Sequence, residues 1–109
     1  MPPTKLAPAV AGYIAAANSQ DVDAVAACFV DDALVHDESQ DRRGTAAIRA
    51  WAEEVSRKYR PTVEVLEASE EGGAVLVVGR VSGQFPGSPV DLRYAFTVNG
   101  NKIERLEIS

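Results

Sequence analysis

Asp37 is the residue whose neighbours best equip it for acid–base chemistry. It ends the run Ala33-Leu34-Val35-His36-Asp37. On a strand, that run puts Ala33, Val35 and Asp37 on one face and Leu34 and His36 on the other. A domain this small must bury one of the two faces, so either Asp37 or His36 points into apolar surroundings. Desolvation shifts the protonation equilibrium of such a group, which is the usual preparation for proton transfer. The competing reading is a frayed strand end with both residues in water.

Other reactive side chains offer less. Cys28 sits in a helical pattern beside Phe29 and reads as a small buried hydrophobe; a nucleophilic role would require a base that the spacing does not reveal. His36, Asp37 and Glu38 are consecutive, and consecutive strand residues cannot all face one metal ion. Arg42-Arg43 reads as a solvated pair, with the gating of an anionic ligand as its alternative. No phosphate-binding glycine loop, Cys/His metal spacing or nucleophile elbow is present, so neither a metal nor a cofactor is expected.

The elements that must position Asp37 follow from periodicity. Leu6, Val10, Tyr13, Ile14 and Ala17 form one helical stripe; Pro8 is tolerable only in the first turn, so the helix is expected to start near Ala7 and end at Asn18-Ser19. Asp21 caps a second short helix with Val22, Val25, Ala26 and Phe29 inward. A turn on Asp31-Asp32 leads into the Ala33–Asp37 strand, and the polar run from Glu38 to Gly44 reads as a loop. Thr45 is expected to cap a third helix, which carries Ile48, Trp51, Val55 and Tyr59 and stops at Pro61.

Beyond Thr62 the period becomes two. Strands are expected from Val63 to about Ser69, from Ala74 to Gly83, through Val90–Val98, and from Lys102 to Ile108. Asn99-Gly100 is a hairpin signal. Ile103 and Leu106 change parity, which predicts a bulge between them. Gly79 and Gly83 can bend the sheet. Leu76 and Val78 oppose Val75 and Val77, so the long strand is apolar on both faces and its outer face is expected to meet a second copy. Helices segregated beside antiparallel strands mean an α+β fold.

The bulk numbers set the frame. With 109 residues the chain is one domain, and 46% hydrophobic with 25% charged residues is a globular composition. A net charge of −5 disfavours nucleic acid and anionic membrane partners. The single cysteine allows no internal disulfide and points to the cytoplasm. Lys5 followed by LAPAVAGYIAAA superficially suggests a secretory leader, but Pro8 and Gly12 interrupt it and its apolar residues form a core stripe. No stretch approaches the ~20 apolar residues of a membrane span.

The run GYIAAANSQDVDAVAACFVDDALVHDE, followed by RRGTAAIRAW, resembles the SnoaL-like and ketosteroid-isomerase-like branch of the nuclear-transport-factor-like superfamily. The resemblance implies a cone in which a strongly curved antiparallel sheet and three helices enclose a pocket, with dimers packing through the convex sheet face. It also turns Asp37 inward, as the general base of the isomerases. It matches Tyr13, 24 residues earlier, to their enolate-stabilising tyrosine. Tyr94, counted back from Asn99-Gly100, takes the place of their protonated oxyanion-hole aspartate; a tyrosine hydroxyl is also a neutral donor. Trp51 takes the place of a pocket aromatic.

The chain departs from that pattern in the shorter loop after Asp37, in Glu38 where the isomerases have proline, and in its early end. The implied activity is a cofactor-independent isomerase, cyclase or dehydratase acting on a small apolar or ketone-bearing molecule. Asp37, Tyr13 and Tyr94 would be catalytic, and Trp51, Val35, Phe96, Leu92 and Val10 would surround the ligand. Two alternatives stand beside it: both tyrosines as core aromatics with backbone partners, and a non-catalytic module whose pocket binds an apolar ligand or a protein.

Overall fold

The structure, a computed structural model, describes residues 6–109; Lys5, the charge at the head of the leader-like run, lies outside them. The elements are α1 (Pro8–Asn18), α2 (Val22–Ala27), β1 (Phe29–Asp37), β2 (Gln40–Arg43), α3 (Thr45–Tyr59), β3 (Thr62–Glu71), β4 (Ala74–Ser82), β5 (Val90–Asn99) and β6 (Lys102–Ile108). One six-stranded sheet in the order β2-β1-β6-β5-β4-β3 curls without closing, and the three helices lie across its concave side. This is the α+β cone expected of the chain. Its sheet is mixed rather than purely antiparallel, because β1 runs parallel to β6. Among the described residues no helix is long and apolar enough to cross a membrane.

Local chemistry explains the helix ends. Pro8 occupies the first turn of α1, where a missing N–H costs nothing. Asp21 Oδ1 accepts from the Ala24 amide at 3.1 Å and caps α2. At α3 the expected Thr45 cap is displaced by one residue: Gly44 is the cap, and the Thr45 hydroxyl donates to the Asp31 carbonyl at 3.4 Å. Arg60, left-handed, closes α3 ahead of Pro61. At the end of α1 the Asn18 side chain accepts from the Val63 amide at 2.7 Å and donates to the Val63 carbonyl at 3.1 Å, which ties the helix to the β3 edge.

Two expectations near Asp37 are corrected. Asp31-Asp32 do not form a turn; β1 already runs from Phe29, and its register against β6 jumps between Phe29 and Leu34. The polar run after Asp37 is not a loop either. Glu38 and Ser39 turn the chain and Gln40–Arg43 returns as β2, pairing from Asp37↔Gln40 to Leu34↔Arg43. Both turn residues have positive φ, 55° and 63°, as a tight two-residue hairpin with matching twist demands. Strand β2 lies at the sheet edge with no buried face, so it carries no hydrophobic alternation to be read.

The later strands set the curvature. β5 and β6 shift register between Thr97 and Val98, which leaves Glu104 as the extra residue inside the predicted Ile103–Leu106 interval. A second bulge lies between Val65 and Glu67 of β3, opposite Gly79. A Cβ on Gly79 would sit 2.7 Å from Val63 Cγ1 and 3.4 Å from Tyr94 Cε1. Glycine there lets β3 fold over β4 and leaves inner-face room for the Tyr94 ring. The core fills the cone behind these strands with Val10, Val35, Ile48, Val75, Val77, Phe96, Ile103 and Leu106, all essentially inaccessible.

Candidate functional site

Between the helices and the concave sheet lies a cavity of about 580 Å³, within the range of small-molecule pockets. Its wall includes Asp37 from the end of β1, Tyr13 from α1, Trp51 from α3, and Leu92 and Tyr94 from β5. Three separate signals in the chain converge here: a strand parity, a helix stripe and a second strand parity. The other expected ligand contacts are corrected. Val10, Val35 and Phe96 are at most 1% exposed and belong to the packed core behind the wall. Helix stripe and strand parity turned them inward correctly, but a small cone has more inward positions than its cavity can display.

That core holds the two tyrosines. Tyr13 meets Phe29 and Phe96 edge-on, with ring centroids 6.0 and 5.6 Å apart, and Tyr94 stacks on Phe96 at 6.1 Å and 10°. Phe96 therefore fixes both rings, each only 5% exposed. Among the described residues neither hydroxyl has a protein partner, and both residues border the cavity. Among the described residues no fully buried side-chain oxygen lacks a partner, so both hydroxyls are open to the cavity. Burial above all pushes both phenols above their ordinary range, followed by Tyr94 and Asp37 for Tyr13 and by Asp37 for Tyr94. They stay protonated, as hydrogen-bond donors.

Asp37 is half-buried, and its environment pulls in two directions. Desolvation raises its carboxyl above the ordinary value, and the charge of Glu38 adds to that. The indole Nε1 of Trp51 donates to Asp37 Oδ2 at 3.0 Å and, with Arg42 and the Glu38 amide, opposes the rise. The result is an oriented carboxyl of raised pKa in the same cavity wall as the two tyrosines. The Trp51 bond was legible only in part: a buried indole N–H needs an acceptor, but the acceptor's identity depends on the meeting of α3 and β1.

The remaining candidates are placed as follows. The His36 ring bonds Asp41 across the β1–β2 pair at 2.6 Å, is 43% exposed and also borders the cavity. Arg42 donates to the carbonyls of Asp37 and Gln40 and is not in the cavity wall, so it braces the hairpin. Cys28 is half-buried, and its Sγ donates to the Ala24 carbonyl at 3.3 Å while burial raises its pKa. Among the described residues no group of three His, Cys, Asp or Glu side chains is placed to hold a metal ion.

The mouth holds residues that the sequence reading passed over. Tyr59 donates to Glu38 Oε2 at 3.2 Å and meets Phe85 edge-on at 5.9 Å. Ser56 donates to Gln20 Oε1 at 2.6 Å, and Gln20 Nε2 donates to the Pro61 carbonyl at 2.8 Å. All of these side chains border the cavity. Tyr59 lies on the α3 stripe that reads as plain core; the last turn of the helix overhangs the opening instead.

Known proteins share both the sequence pattern and the geometry. Residues 10–105 match the model of the SnoaL-like domain. A proposed polyketide cyclase from Sinorhizobium meliloti is 39% identical over 95% of each chain, with a TM-score of 0.92. A protein from Catenulispora acidiphila with a ketosteroid-isomerase-like fold aligns over 96% of this chain and 86% of its own, at 17% identity and a TM-score of 0.85. The epoxide hydrolase/cyclase-like enzyme SalBIII, of pyran ring formation in salinomycin, aligns over 92% and 85%, at 24% identity and a TM-score of 0.81; these last two likenesses concern the fold. On the match across nearly its whole length, the chain belongs to the SnoaL-like family, built on the ketosteroid-isomerase-like cone.

Proposed function

We propose that the protein is a cofactor-independent enzyme of the isomerase or cyclase type, working on a small apolar, carbonyl-bearing molecule by general acid–base catalysis. The observation that carries this reading is the convergence of a raised carboxyl and two phenols, without a protein partner among the described residues, on one largely apolar cavity. Asp37, ionised, takes the proton from the carbon beside the substrate carbonyl, and the electron pair moves onto the carbonyl oxygen. Tyr13 and Tyr94 donate to the enolate oxygen as its charge develops. The protonated Asp37 then returns the proton to another carbon, or the enolate carbon closes a ring onto an electrophile and Asp37 protonates the resulting oxyanion. The polyketide cyclase proposal for the Sinorhizobium meliloti relative, at 39% identity, supports the same class of chemistry.

Solvent deuterium exchange tests it. Incubated in D₂O with an enolisable apolar ketone such as β-tetralone, the wild type should speed exchange beside the carbonyl, and Asp37→Asn should abolish the acceleration while still binding the ketone. Binding without exchange in the wild type would favour the non-catalytic pocket module.

The quaternary and cellular readings belong with this proposal. Leu76 is 56% and Leu66 39% exposed on the outer strands, an apolar surface suited to pairing of two copies. The single cysteine suits a reducing cytoplasm.

A further inference from the structure

The cavity's aromatic and charged residues are unevenly chosen. Of the seven aromatic residues in the chain, the one Trp, three Tyr and Phe85 border the cavity. Its wall holds the carboxylates of Asp21, Asp37 and Glu38, and among the described residues no Lys or Arg. Its one basic residue, His36, has its ring tied to Asp41. Asp21 and Glu38 are both exposed, at the rim. Contacts join them along the opening: Gln20, next to Asp21, bonds Ser56; Tyr59 follows Ser56 by one helical turn and bonds Glu38. A chain cation already sits there, with Lys58 Nζ 5.2 Å from the Tyr59 ring centroid and outside the wall.

Two acids and the rings of Tyr59 and Phe85 around one opening make a site for a positive charge, through ion pairing and attraction to the ring quadrupoles. The inner end offers the opposite: two hydroxyl donors on residues only 5% exposed, with no protein partner among the described residues. Those donors want a neutral or developing-negative oxygen. A molecule matching both ends carries an oxygen at the depth and a cationic nitrogen at the mouth. We propose that this cavity takes an amine-bearing apolar ligand, its protonated or quaternary nitrogen held at the rim by Glu38, Asp21 and the rings of Tyr59 and Phe85, and that it rejects carboxylates and phosphates. This rests on the reading of the cavity as a small-molecule site and adds the class of molecule. A carboxylate in its place would lose water while facing the two rim acids, with Lys58 outside the wall.

Three probes on one skeleton test the charge preference by calorimetric titration: β-tetralone, protonated β-aminotetralin and tetralin-β-carboxylate. Cation–π attraction and exposed ion pairing together predict an amine-to-ketone affinity ratio of about tenfold, with the carboxylate weakest. The ratio should shrink in high salt, because the rim acids are exposed. Glu38→Gln with Asp21→Asn, which keep the Tyr59 contact and the α2 cap, should bring it toward one. A ratio near one in the wild type, a ratio unchanged in the double variant, or a carboxylate bound as tightly as the ketone overturns the proposal. Failure of the catalytic reading is separately visible as absent deuterium exchange despite a preserved amine preference. Failure of all three probes to bind sinks both.

Discussion

Trp51 Nε1 donates to Asp37 Oδ2 at 3.0 Å, across the contact between α3 and the end of β1. The bond orients the carboxyl and stabilises its ionised form against the desolvation that raises its pKa. Trp51→Phe keeps most of the ring area and removes the donor. The carboxyl should then titrate higher, moving the acid limb of the exchange rate toward neutral pH, and stability should fall by about 1–3 kcal/mol. An acid limb that stays in place would show that the bond does not tune the base.

Asp37 should cost the fold stability at neutral pH. Its folded pKa is raised, so between the ordinary carboxylate value and the folded one the native state holds a proton that the unfolded chain has lost. Stability therefore falls as pH rises through that window and stays lowered above it. Asp37→Asn removes the charge and keeps an acceptor for Trp51. Thermal melts should show the variant above wild type in Tm at neutral pH, with the difference closing in acid. A variant less stable at neutral pH would mean that the carboxylate is held favourably.

Tyr13→Phe and Tyr94→Phe should each reduce turnover by about 10²–10³-fold at most, the loss of one donor to a developing oxyanion. Their stabilities should hardly change, because neither hydroxyl has a protein partner among the described residues. A clear drop in Tm for either variant would point to a hydroxyl that the fold itself uses.

Gly79→Ala tests the sheet bend. The new methyl would lie 2.7 Å from Val63 Cγ1, closer than packed carbons tolerate. A loss of about 1–3 kcal/mol is expected, and Val63→Ala in the same chain should recover part of it as a non-additive coupling. Simple additivity of the two losses would place the strain elsewhere.

Leu76 is 56% exposed on β4, the strand next to the β3 edge. Sedimentation should find a dimer at micromolar concentration, and Leu76→Lys should return a monomer of unchanged fold. A wild-type monomer would remove the pairing proposal.

The α+β class, the Pro8 and Asp21 helix starts, the Asn99-Gly100 hairpin and the Glu104 bulge were legible because each has a local cause: fixed φ, a side-chain cap, a tight turn or a parity change. The helix stripe of Tyr13 and the strand parity of Tyr94 were legible from period alone; parity left open whether Asp37 or His36 turned inward, and only the family resemblance chose Asp37. The sequence could not show which inward residues reach the cavity, and so Val10, Val35 and Phe96 are core while Tyr59 and Phe85 line the opening. Nor could it show β2, a polar edge strand held by its partner's backbone, or the parallel β1–β6 pair. The Trp51–Asp37 bond and the meeting of both phenol rings with Phe96 depend on residues brought together from distant parts of the chain. Periodicity reports the face a side chain takes within its own element; the packing of elements against one another decides what that face meets.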